Sequence, residues 1–193
     1  MLWGGVANGG ALELRREENG GIRLRGRFPY STETTLAKGR AEQIAPRAFS
    51  ARIESGGDIH LLSGHDYEKP LASRAAGTLT LRDTDQALEV EAVITSDMAQ
   101  ATWARDFLSA HGAGLIRGLS PGFRVPPGGE VIERRGDGLL RTVRAAELFE
   151  ISAVTVPAYP DAQIEARNWT AEIGMGTHTY CDGLHRTLAR WRA

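Results

Sequence analysis

The chain has 193 residues, with 23 Lys and Arg against 24 Asp and Glu, a net charge of −1 and a single cysteine. That length suits one domain with tails; the lone Cys181 excludes a disulfide framework and any multi-cysteine metal site, and the near-zero charge argues against a general nucleic-acid or membrane binder. No apolar run approaches the roughly 18 residues that cross a bilayer, the N-terminus lacks a signal-peptide layout, and 23 glycines with 8 prolines announce many turns.

Residues 1–19, rich in Gly-Gly pairs and mixed charges, read as a flexible leader or at most one short edge strand. Order is expected from about residue 20, where Ile22, Leu24 and Phe28 alternate with Arg23, Arg25 and Arg27 as in a half-exposed strand. A polar loop is expected over 29–39, then a short helix from Pro46, a suitable first helical residue, through Ile53. Ile59 to Leu62 reads as a buried strand running into Ser63-Gly64-His65-Asp66. The clearest hairpin follows, with Leu79 and Leu81 on one arm and Leu88, Val90, Ala92 and Ile94 on the other, around Asp83-Thr84-Asp85. Ser96 or Asp97 can cap the one long internal helix, about 98–111, whose stripe is Ala99, Trp103, Phe107, Leu108 and Ala110 and which Gly112 and Gly114 stop. Leu115 to Val125 contains a strand interrupted by Gly118, Pro121 and Gly122, and Pro126 to Gly138 a loop or hairpin. Leu148 to Val156 is a last strand, ended by Pro157 and Pro160. In the tail, 167–193, Asp182 could cap a short amphipathic helix carrying Leu184, Leu188 and Trp191. Strands outnumber helices, which implies a barrel or sandwich with helical additions rather than a βαβ fold.

Several residues are candidates for chemistry. His178, Cys181, Asp182 and His185 crowd the tail, but their spacing matches no common zinc site, and no metal or cofactor is expected. His60 reads as packed or paired, and His111 as a structural residue at the negative end of a helix dipole. Gly112, Gly114 and Gly118 miss the dinucleotide spacing and follow a helix instead of opening one. His65 stands where a rigid strand meets a glycine-relaxed end, a good way to hold an imidazole at a cleft. Ser120 lies within Gly118-Leu119-Ser120-Pro121-Gly122, which has the letters of a hydrolase elbow without the helix that should follow it. Glu150 sits in an apolar strand, with Phe149, Ile151 and Ala153 on one face and Glu150 and Ser152 on the other. A buried carboxylate needs a partner: an imidazole, as in a nucleophile–base–orienter set, or an arginine such as Arg124 or Arg144.

Taken in this order, Gly64-His65-Asp66, Leu88-Glu89-Val90-Glu91-Ala92, Gly118 to Phe123, and Glu150 to Ala158 with Tyr159-Pro160-Asp161-Ala162 resemble the prohead proteases of tailed bacteriophages and prophages with the HK97-type capsid. The resemblance covers about residues 20–166. It implies a mainly β (α+β) fold, a barrel with flanking helices similar to the herpesvirus assembly proteases. It also implies a serine endopeptidase with Ser120 as nucleophile, His65 as general base and Glu150 as third member, with Glu147 as its alternative. The expected partner is the scaffold portion of the major capsid protein, cut inside the assembling procapsid in the bacterial host cytoplasm, together with the protease itself; a homodimer is compatible, nucleic acid and membrane are not expected. The alternative is a non-catalytic assembly or scaffold protein on the same fold. Where family members often carry Pro-Gly-Ala-Phe, this chain has Pro46-Arg47-Ala48-Phe49, so a tight turn is expected to differ there.

Overall fold

The computed structural model of the protein describes residues 2–3, 12–116 and 118–155. The first sheet joins β1 (Leu2–Trp3), β2 (Leu12–Arg16), β3 (Ile22–Pro29), β9 (Ala87–Ile94) and β8 (Leu79–Asp83), in that order, with every neighbouring pair antiparallel. Its alternation is the one the sequence predicts: Ile22, Leu24, Leu88, Val90 and Ala92 are buried. On the outer face Arg25 stands across from Glu91 and Arg27 across from Glu89, and Arg23 pairs with Glu17 and Glu91. Opposite charges placed directly across a ladder stabilise it, so the arginine row is matched by glutamates.

The second sheet runs β10 (Gly118–Arg124), β13 (Glu147–Val154), β6 (His60–Ser63) and β7 (Asp66–Ser73). β13 lies antiparallel to β10 and parallel to β6. Pro121, which has no N–H to give a ladder, is tolerated because β10 is an edge strand. β3 lies against β10, and β7 against β9. The apolar core fills the space between these two sheets: Leu24, Val90 and Ile94 meet Leu61, Leu119 and Ile151. Such packing burial supplies the main favourable term in folding.

A third sheet, β11 (Glu130–Arg135), β12 (Gly138–Val143), β5 (Arg40–Ile44) and β4 (Thr34–Ala37), takes up residues expected to form a polar loop. Its interior is partly ionic: Arg141 is buried, 2.9 Å from Glu42 across the parallel β12–β5 pair, and also bonded to Glu130. Among the described residues the three sheets keep separate edges and do not join into a closed barrel. The mainly β fold with few helices is the one the resemblance implies.

The helices are also shorter than the sequence implies. α1 spans only Ser50–Glu54, because Asp83 of β8 accepts the Phe49 N–H and the Ser50 hydroxyl and so caps it from another strand. Tyr30 also donates to Asp83, and burial with that bond pushes the phenol far above its ordinary value. The preceding turn holds Arg47 at φ +58°, the left-handed region that glycine prefers. The long helix begins as a 3₁₀ turn (Met98–Gln100), with Thr95 rather than Ser96 or Asp97 accepting the Met98 N–H. Ala101 is extended, and α2 (Thr102–Gly112) follows, burying Ala104, Phe107 and His111. No described helix is long and apolar enough to cross a membrane.

Candidate active site

β13 carries the site because one residue breaks its alternation. The β10–β13 register pairs Ser120 with Ser152, Pro121 with Ile151 and Gly122 with Glu150, then Phe123 with Leu148. Phe149 is the extra residue of a β-bulge, a device that re-aims side chains. The sequence reading put Phe149 on the face of Ile151 and Ala153; the bulge turns Leu148 into the core instead. Phe149 lies between the Arg52 and Arg124 guanidinium groups, 6.0 and 5.7 Å from its ring centre. Beyond the bulge, Glu150 and Ser152 share the opposite face with Ser120 and Gly122.

Gly122 is glycine for reasons of space. A Cβ there would stand 2.7 Å from Glu150 Cδ and 3.0 Å from Cγ, so its missing side chain makes the room in which the carboxylate lies. The sequence reading treated Gly122 as an interruption of the strand, and β10 runs through it without a break.

His65 enters from the other side of β13. β6 and β7 are joined by the two-residue turn Gly64-His65, with Ser63 paired to Asp66. Both turn residues have positive φ, 69° and 62°, as primed hairpin turns require. The turn is held down by the Gly64 N–H, which donates to the Ala153 carbonyl at 3.1 Å, and by the His65 N–H, which donates to Ser152 Oγ at 2.8 Å. The imidazole Nδ1 then lies 2.7 Å from Glu150 Oε1, and Ser152 Oγ donates to Glu150 Oε2 at 2.6 Å. Glu150 is buried, whereas a third of the His65 side chain is open, 34% against 6% for the carboxylate side chain.

Ser120 is fully buried on β10 and its Oγ makes no hydrogen bond. It faces Ser152, whose hydroxyl is committed to Glu150 and to the His65 backbone. The geometry therefore brings Ser120, His65 and Glu150 to one face of one sheet, and of the two serines there only Ser120 has a proton not already donated. Ser152 is the member that sequence reading noticed only as Glu150's neighbour. Its two-residue spacing from Glu150 was the available signal.

The other candidates lie elsewhere. Glu147 is at the far end of β13, 2.6 Å from Arg124 in an exposed pair. Asp66 turns away to Lys69 at 2.9 Å and accepts the Glu68 N–H; the Lys69 ammonium and that amide hold its carboxyl below the ordinary range. His60 opens β6, pairs with Asp58 at 3.4 Å and meets Tyr67 edge-on. Burial, and then the Glu150 charge, push the Tyr67 phenol upward. His111 is buried in the last turn of α2, and burial lowers its pKa. Among the described residues no cluster of three or more His, Cys, Asp or Glu could hold a metal ion. His178, Cys181, Asp182 and His185, like the expected C-terminal helix, lie outside the described residues.

No curated protein and no solved structure matches the chain. The model of one family, caudovirus prohead serine protease, matches residues 10–174, a span that contains Ser120, His65 and Glu150. The chain belongs to the caudovirus prohead serine protease family.

Proposed function

We propose that the protein is the serine endopeptidase that removes the scaffold portion of a major capsid protein, and cuts itself, while an HK97-type procapsid matures in the bacterial host cytoplasm. Ser120 is the nucleophile, His65 the general base and Glu150 the residue that orients it. The observation that carries this reading is the 2.7 Å His65–Glu150 pair on the face where Ser120 keeps an uncommitted hydroxyl. A partly exposed histidine held on one ring nitrogen by a buried carboxylate is the base–orienter half of a nucleophile–base–orienter set. An assembly protein without activity would have no use for that arrangement. Kinship of fold with the herpesvirus assembly proteases belongs to the same proposal and rests on the family resemblance alone.

The chemistry follows from proton positions. Glu150 accepts a hydrogen bond from the Nδ1–H, which places the lone pair on Nε2, the tautomer a base requires. Ser120 Oγ attacks the scissile carbonyl carbon as its proton passes to Nε2. The C–N bond then breaks, and the departing amine takes that proton from the imidazolium, which Glu150 stabilises. Water, deprotonated by the same Nε2, attacks the acyl-enzyme and releases Ser120. Pro121 has no N–H, so the amide that follows the nucleophile in elbow-type hydrolases cannot serve the oxyanion here.

Co-expression with the capsid protein tests the reading. The wild type yields a shortened capsid protein, and Ser120→Ala leaves it full-length. Processing by Ser120→Ala at the wild-type rate would remove Ser120 from the nucleophile role.

A further inference from the structure

Three hydrogen bonds between β13 and the β6–β7 turn form a closed ring that begins and ends on His65. The His65 backbone N–H donates to Ser152 Oγ at 2.8 Å, Ser152 Oγ–H donates to Glu150 Oε2 at 2.6 Å, and Glu150 Oε1 meets His65 Nδ1 at 2.7 Å. Every part of that ring is needed. His65 sits at φ +62°, a backbone state that is unfavourable for a residue with a Cβ and persists only where its surroundings over-determine it. The Ser152 hydroxyl accepts the amide of that strained residue. Glu150 is buried, and its second oxygen would be left without this donor if Ser152 were apolar, a costly state for a carboxylate. Relief would come by rotation of the carboxylate, which also carries the imidazole's anchor.

We propose that Ser152 is a positioning residue. It fixes the plane of the Glu150 carboxylate and the backbone of His65 together, so that the imidazole holds its proton on Nδ1 and turns Nε2 toward substrate chemistry. Its catalytic consequence rests on the protease reading above, but the ring of hydrogen bonds operates with no substrate present. Ser152 itself is unsuited to attack a peptide, because its proton is given to Glu150 while its oxygen accepts the His65 main-chain N–H.

The test uses the full chain with ¹⁵N-labelled histidine, as wild type, Ser152→Ala and Ser120→Ala. NMR of the His65 ring reports which nitrogen bears the proton and how the ring titrates; capsid-protein cleavage is followed in parallel across pH. In the wild type His65 is the Nδ1–H tautomer. Ser152→Ala mixes the two tautomers and lowers kcat roughly 10- to 100-fold, the scale of a misplacement near 1 Å, with KM unchanged. Ser120→Ala, at the register partner of Ser152, abolishes cleavage and leaves the His65 spectrum as it was. If Ser152→Ala is too unstable to purify, Ser152→Cys, which replaces a strong donor with a weak one, carries the same expectation. A wild-type His65 spectrum in the Ser152 variant overturns the proposal whatever Ser120→Ala does. A changed spectrum alongside full cleavage by Ser120→Ala sustains the positioning of His65 and removes the protease assignment instead.

Discussion

Replacing Gly122 by alanine would set a methyl carbon 2.7 Å from Glu150 Cδ and 3.0 Å from Cγ, with Oε1 nearer still. Carbon atoms rest at about 3.5–4.0 Å, so the carboxylate must withdraw by roughly 1 Å. Oε1 is the atom that meets His65 Nδ1 at 2.7 Å, and such a retreat takes the bond to its limit or breaks it. A misplacement of that size costs about 100-fold in rate, close to 2.7 kcal/mol of barrier; full loss of the orienting group would approach about 10⁴-fold. The neighbouring main chain does not yield easily, because Gly122 and Glu150 are register partners. The assay is kcat for capsid-protein cleavage with thermal unfolding beside it, on Gly122→Ala, Glu150→Ala and the double variant. Expected is a large loss of kcat and of stability in Gly122→Ala, with the stability loss nearly absent when Glu150 is already alanine, since the clash has one partner. A Gly122→Ala protein that cleaves at the wild-type rate, or that is equally destabilised without Glu150, would refute the reasoning.

Other consequences concern residues away from that contact. Glu147→Gln removes only an exposed pair with Arg124, worth about 0–1 kcal/mol, and should leave cleavage unchanged, whereas Glu150→Gln should lower kcat at least 100-fold; steady-state kinetics separate the two. His111 has a folded pKa below its ordinary value of 6.5 because it is buried. Its contribution to stability is therefore intact above that value and is lost as pH falls toward the lowered one. Chemical unfolding from about pH 7.5 to about pH 5.5 should weaken the wild type more than His111→Gln; equal losses would show that His111 is not the linked group. Arg47 at φ +58° carries a cost of roughly 1–2 kcal/mol against an exposed pair with Asp85. Arg47→Gly should hold or raise the melting temperature, and a clear fall would mean that the side chain contributes more than the backbone conformation costs.

Legibility in the sequence followed the hydrophobic pattern. The β8–β9 hairpin and the alternation of β3 were readable because apolar residues recur every second position against arginines and glutamates. β4 and β5 were not, because Thr34–Ala37 and Arg40–Ile44 bury Glu42 against Arg141, and a buried ion pair looks like surface when one strand is read alone. The extent of α1 was hidden for a similar reason: its cap, Asp83, lies more than thirty positions away. At the site, the neighbourhoods of Ser120, His65 and Glu150 were each visible, yet their meeting depends on register. The bulge at Phe149 and the parallel pairing of β13 with β6 are long-range events with no local signature. Gly122 stood in plain view, but glycine usually signals a bend, and here it signals the space occupied by a carboxylate. The positive φ of His65 was foreshadowed by Gly64 only as a relaxed strand end.

The most direct test of the account is the site of acylation. A fluorophosphonate, applied under conditions in which the wild type processes capsid protein and mapped by peptide mass spectrometry, should form one adduct, on Ser120, and none in His65→Ala. An adduct on Ser152 or any other serine, or an actively cleaving protein that stays unlabelled at Ser120, would contradict it.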